Sequence, residues 1–264
     1  MKRTIRTVAL SLTLATGTAA AQDMMRGVDL SSPDMVMAEM TRQDVEAVLA
    51  RASAAARADF TGKKLSGLDL SGLDLSNAIF RAARLNKTRL AGAKLDGAVL
   101  DQAWLLAADL TGASLKGANL FAAQMAGARL DGANLSDARI AADLTGASLV
   151  GASIAGARLG ADMRNQSMGL MRAVLKSANL ERLNASGADL SRVDLEFASL
   201  RSADLSGASL KGAQLGGADL TGVTLIDTDF DGADLTSARL VAPIGLDRAK
   251  NFSMAKNLDR LIKQ

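Results

Sequence analysis

The chain has 264 residues, 48% of them hydrophobic but 3% aromatic, with 24 Gly and no Cys, His or Tyr. Without Cys there is no thiol nucleophile, thiolate metal site or disulfide, and without His no imidazole base or ligand, so catalysis falls to Ser, Asp, Glu and Lys and is disfavoured. The formal charge of +3 would suit a polyanionic partner, were it not concentrated at the N-terminus.

Residues 1–21 read MKRTIRTVALSLTLATGTAAA: Lys2, Arg3 and Arg6, then an apolar run from Val8 to about Ala15, then the small residues Ala19, Ala20 and Ala21 before Gln22. That three-part order predicts a secretory signal peptide, and its apolar run is too short to span a bilayer. Its removal takes away three basic residues and no acidic one, leaving 28 of each sign and a formally neutral mature chain. The expected location is the periplasm, or alternatively the exterior of the cell. No later segment carries the 18 or so apolar residues of a membrane helix, so the chain is not read as transmembrane.

Residues 22–59 are expected to form a helical N-terminal cap. Ser32 before Pro33 reads as an N-cap with Pro at the first helical position, and Thr41-Arg-Gln-Asp44 as a capping box. Met37, Met40, Val45, Val48 and Leu49 recur at three or four residues, as on one or two short amphipathic helices.

From 60 to 241 an apolar residue returns every fifth position, starting Phe60, Leu65, Leu70, Leu75, Phe80 and continuing to Ile140. Neither the 3.6 period of a helix nor the 2.0 period of a strand keeps such residues on one continuous face. Two positions before each apolar centre sits a small residue, nearly always Ala between Ala78 and Ala138, with Thr88 the exception; one before is usually polar, and two after is often Gly. Positions two apart share one side of an extended backbone, so the Ala and the centre face inward while the residues flanking the centre face out. The rest of the unit must turn the chain, and Gly accepts the dihedrals of a corner. The register slips by one after Ile140, falters around 160–170, resumes at Leu170 and runs to Leu240, with Ala185 the one weak centre.

The units ADLTG at 108–112, ANLSD at 133–137, ADLTG at 142–146, ADLSG at 203–207 and ADLTG at 218–222 resemble the pattern of the pentapeptide-repeat family. The resemblance spans residues 60 to 240 and implies an all-β solenoid, a right-handed quadrilateral β-helix with four units per coil. On four units per coil, residues 20 apart stack, Phe60 lies beneath Phe80, and about nine coils at ~4.8 Å make a rod on the order of 45 Å long. Its interior would be a filled ladder of Leu and Ala with no room for a substrate. Residues 242–264 leave the repeat and are expected to cap the C-terminal end, with Met254, Leu258 and Leu261 on a short helix.

Stacking places Ile79 and Val99 outward on one face, Phe121 one coil above, and Trp104 with Leu106 on the adjacent face, an exposed apolar group suited to a protein partner or a second copy of the chain. Charge is uneven along the rod. Arg81, Arg84, Lys87, Arg89 and Lys94 crowd one coil, whereas 189–234 holds nine acidic residues against Arg192, Arg201 and Lys211. The basic coil wraps several faces, which argues against nucleic acid as a partner. Met163, Met168 and Met171 could serve a soft copper ion outside the cytoplasm, though a bend packed by flexible methionines explains them as well. The function expected is that of a non-catalytic exported scaffold or interaction rod, with no cofactor and no metal. Two alternatives stand beside it. The resemblance implies a DNA-mimic rod protecting type II topoisomerases, which calls for a more acidic cytoplasmic chain. The cluster Asp227, Asp229, Asp231 suggests a surface carboxylate metal-binding protein.

Overall fold

The computed structural model describes residues 28–53, 55–161 and 171–263; the expected signal peptide and residues 162–170 of the irregular stretch lie outside them. From Asp59 onward the chain is a repeat β-helix held by isolated parallel bridges between residues one coil apart. Asp59 pairs with Ile79, Ile79 with Val99, and Val99 with Asn119, and the same 20-residue step runs up three further columns starting at Lys64, Asp69 and Asp74. Four units therefore make one coil, and the four columns define four faces, called first to fourth in that order.

Every backbone N–H of a unit has a destination, which explains the motif. In the unit around Leu110, Leu110 N donates to Arg129 O (2.7 Å), Gly112 N to Asp131 O (2.9 Å) and Asp109 N to Thr88 O (3.0 Å), all between coils. Ala113 N closes the corner onto Leu110 O at 3.0 Å. The remaining donor, Thr111 N, is taken by the Asp109 carboxylate at 3.1 Å. Asn134, Asp143, Asp204 and Asp219 do the same for the residue two positions on. An Asp or Asn before the centre thus satisfies the one amide that neither the turn nor the next coil can reach. Gly112, at the corner, has φ 64, left-handed backbone that costs an L-residue about 1–2 kcal/mol.

Inside, among the described residues, the centres are buried from Phe60 and Leu65 through Leu235, and from Ala78 onward so are the residues two before them, each Leu contributing roughly 1.5–3 kcal/mol before entropy is charged. Phe60 does lie beneath Phe80, their rings 5.0 Å apart and 12° from parallel. The weak centre Ala185 is compensated two residues earlier, where Leu183 stands in the small-residue position and both are buried. Thr88 occupies its small-residue position because its hydroxyl donates to Leu65 O at 2.9 Å, and Thr228 repeats the device on Leu205 O at 2.7 Å. The slip after Ile140 shortens one coil, pairing Gln124 with Asp143, and the irregular stretch lengthens the next, pairing Asp143 with Val174.

At the N-terminal end, α1 (Pro33–Val36) and α2 (Arg42–Arg51) precede the first coil. The Thr41–Asp44 capping box forms, whereas the Ser32 side chain makes no cap. Val45 is fully buried, and Met40, Val48 and Leu49 pack beside it. Met37 leaves this pattern and is 61% exposed, its place taken by Met35. Residues 242–263 depart from expectation. In place of a helix over the end they form one more coil, in which Ile244, Lys250, Lys256 and Ile262 pair with Thr224, Asp229, Asp234 and Arg239. Three 3-10 turns, Leu246–Arg248, Phe252–Met254 and Leu258–Arg260, make its corners, each entered through a left-handed residue, Gly245, Asn251 or Asn257. Leu258 and Leu261 pack on the core, while Met254 is exposed.

Candidate functional site

Because the unit pattern consumes Asp and Asn side chains in its own turns, most surface carboxylates are committed before any ligand is considered. The Asp59 and Asp109 carboxyls are held below the usual carboxylate range chiefly by the hydroxyls of Thr61 and Thr111. For Asp219 and Asp229 burial pushes upward, and donors from Thr221 and Asn251 respectively outweigh it. Each carboxylate whose titration is displaced among the described residues is displaced downward, the wrong direction for a general acid or base working near neutrality. Asp227, Asp229 and Asp231 do not gather either: Asp227 pairs with Arg248 at 3.0 Å and Asp229 with Lys211 at 3.2 Å. Among the described residues no group of three acidic side chains is placed to hold a metal ion.

The basic coil is likewise spread out. Arg89 pairs with Asp69 at 2.5 Å and Arg81 with Asp101 at 3.4 Å, and the third face alternates sign through Asp69, Arg89, Asp109 and Arg129.

The expected apolar group is partly assembled. Ile79 and Val99 pair directly on the first face, and Trp104 stands on the second between Arg84 and Gln124. All of Ile79, Val99, Trp104, Leu106 and Phe121 are half-buried, so Trp104 is not the exposed residue the stacking suggested. The Phe121 ring is covered by the Arg139 guanidinium, 4.4 Å from its centroid. Leu106 N donates to Asn86 Oδ1 at 3.0 Å, and Asn86 Nδ2 donates to Met35 O at 3.1 Å, so the α1 segment lies against this same second face.

Higher on the second face is a feature the sequence reading missed. Phe197 sits at a corner position with φ 59 and is 62% exposed; it is the one aromatic among the left-handed residues described. Directly above it the coil carries Gly216 and Gly217. A Cβ at Gly217 would lie 2.6 Å from Phe197 Cδ1, so the ring occupies the space a side chain there would need. Beyond the ring a shallow depression of about 350 Å³ is lined by Glu196, Gln214, Asp234, Thr236 and Ser237. Lys176 Nζ lies 5.7 Å from the ring centroid and 2.7 Å from Glu196 Oε2. The Asp234 carboxyl, which burial alone would raise, is kept low by donors from Thr236 and Asn257. The signal was present in LEFAS and QLGGA, a Phe where glycine is usual and, one coil on, paired glycines.

The family model for pentapeptide repeats matches eight copies, over residues 47–81, 64–102, 80–112, 107–137, 170–207 and 203–240. The chain belongs to the pentapeptide repeat family. Among solved structures, this pentapeptide repeat protein is similar to HetL, a pentapeptide repeat protein involved in heterocyst differentiation regulation from the cyanobacterium Nostoc. Identity to HetL is 32%, covering 77% of this chain and 91% of HetL, with a TM-score of 0.53. A pentapeptide repeat protein of the Arabidopsis thaliana thylakoid lumen is 35% identical over 39% of this chain and 65% of its own, with a TM-score of 0.21. The plasmid-mediated fluoroquinolone resistance protein QnrB1 is 19% identical over 72% of this chain and 89% of its own, with a TM-score of 0.44. No curated protein matches the chain significantly. Among the described residues no helix is long and apolar enough to cross a membrane.

Proposed function

We propose that this pentapeptide repeat protein is a non-catalytic exported scaffold, a right-handed four-sided rod that works in the periplasm by presenting its second face to a protein partner. The observation that carries the reading is the filled interior: among the described residues the five-residue centres from Phe60 to Leu240 are buried apolar side chains, so recognition falls to the outer faces. The second face holds two departures from a polar exterior, Trp104 with Leu106 below and the Phe197 depression above. About four coils separate them, on the order of 20 Å, a span an extended peptide of about six residues covers. The first-face residues Ile79, Val99 and Phe121 extend the lower contact around the corner. Export rests on the order of charge, apolar run and small residues in 1–21.

Cell fractionation with N-terminal sequencing tests the location, and a mature chain beginning at Gln22 in the periplasm is expected. A chain retaining Met1 in the cytoplasm would remove export from the reading. For the partner surface, capture from periplasmic extract should fall for Trp104→Asp while the melting temperature holds. Unchanged capture would clear the lower contact of any role.

A further inference from the structure

The Phe197 corner costs the fold stability in two ways at once. A left-handed backbone is unfavourable for an L-residue, most of all a bulky one, and 62% of a phenylalanine is left in water. The other corners of the same column carry Gly67, Gly127, Gly146 and Gly217 or the smaller or polar Lys87, Ala107, Ser177 and Ser237, so Phe197 is the one aromatic there. Here the ring is instead fixed flat against the rod by the glycine above it, where any β-carbon would collide at 2.6 Å. One side of the ring is thereby pinned, and an ammonium already approaches it, Lys176 Nζ at 5.7 Å from the centroid. That lysine's charge is spent on Glu196. The depression continues past the ring to the Gln214 amide and the ionised Asp234, within the stretch 189–234, which holds nine acidic residues and three basic ones.

A fixed aromatic face and a carboxylate across a shallow depression together favour a long cationic side chain. The ring attracts the cation, the carboxylate neutralises it, and the depression takes its methylene stem. We propose that the depression beside Phe197 receives an arginine or lysine side chain from an extended basic segment of a partner protein, so that the upper second face reads positive charge. The proposal rests on the scaffold reading for its partner but not for its chemistry, which a synthetic peptide tests on the purified chain.

The probe is a fluorescein-labelled peptide of alternating Arg and Ala, with alternating Glu and Ala as its control, read by fluorescence anisotropy. The wild type should bind the Arg peptide and not the Glu peptide. Phe197→Gly should weaken binding about tenfold while raising the melting temperature, because glycine relieves the left-handed corner. Asp234→Asn should also weaken binding, and Asp204→Asn, on the fourth face, should leave it unchanged. Equal binding by Phe197→Gly, equal weakening by Asp204→Asn, or no binding by wild type would overturn the proposal. So would a wild type that self-associates in sedimentation and becomes monomeric on Phe197→Gly, since a second copy would then be the occupant. None of these results bears on export or on the Trp104 contact, which fail on their own experiments.

Discussion

At the N-terminal end, backbone groups with no coil beneath them are met by side chains and a helix, whereas at the C-terminal end they are met by one more turn of backbone. Below the first coil, Glu39 N donates to Lys64 O at 2.9 Å, and the Arg42 guanidinium donates to Asp69 O and Ser71 O at 3.0 and 3.3 Å. Above the last five-residue coil, the N–H groups of Leu225, Phe230, Leu235 and Leu240 reach the carbonyls of Ile244, Lys250, Lys256 and Ile262. Each unit turns two carbonyls and one N–H to the lower edge and two N–H groups and one carbonyl to the upper. A guanidinium therefore suits the first, while the last coil both accepts and, through the N–H groups of Ile244, Lys250, Lys256 and Ile262, donates. Both devices remove open edges that would otherwise pair with other chains. Each end also pairs aromatics, Phe60 on Phe80 below and, above, Phe230 edge-to-face with Phe252, their ring centroids 5.2 Å apart.

The largest effect that would sharpen this contrast comes from the aromatics. Phe80→Ala, in a fully buried stack, should cost about 3–5 kcal/mol, and Phe252→Ala, half-buried under the last coil, clearly less, as read by denaturant unfolding. Equal losses would mean that the last coil is as tightly packed as the body. Next is Asn257→Ala, which removes a residue suited to left-handed backbone together with its bonds to Asp234 Oδ1 and Thr236 Oγ1 at 2.9 and 2.7 Å. A loss of about 1–2 kcal/mol is expected, with faster amide exchange confined to the last coil. Arg42→Ala should cost about 1 kcal/mol, because water replaces it on carbonyls at the rod's edge, and its exchange signature should appear at the opposite end.

The smallest effect is in pH. The Asp229 and Asp234 carboxyls in the upper half and Asp59 in the lower titrate below their ordinary value. Their contribution is therefore fully present above about pH 4 and lost as pH falls through the depressed values. With no His or Cys to titrate in between, the melting temperature should be flat from about pH 5 to 8 and fall only in acid. A midpoint change near pH 6.5 would contradict this assignment.

The inner wall was legible because a five-residue period fits neither helix nor strand, and each inward position repeats its chemistry. Even the deviations could be placed: Ala185 yields to Leu183 two residues before it, and the slip after Ile140 passes as one short coil. The last coil was not read, although GLDRAK, NFSMAK and NLDRLI repeat every six residues. In these units a 3-10 turn lengthens the corner, so Leu246 and Ala249, or Leu258 and Leu261, lie three apart and mimic helical spacing. Phe197 escaped for a different reason. A corner residue does not belong to either side of a unit, and its exposure depends on Gly217 a full coil away, a contact visible only after the coil length is known.

Four units to the coil is the claim on which the columns, the second face and both ends depend, and the absence of native cysteine makes it directly measurable. Ser114 and Asn134 are bridged partners on the fourth face, at a spacing of ~4.8 Å that suits a disulfide. The double variant Ser114→Cys/Asn134→Cys should form an intramolecular disulfide under mild oxidation, quantified by mass spectrometry. Ser114→Cys/Arg129→Cys, 15 residues apart and on a different face, should not. A crosslink in the second pair and none in the first would put three units in the coil and contradict the structure.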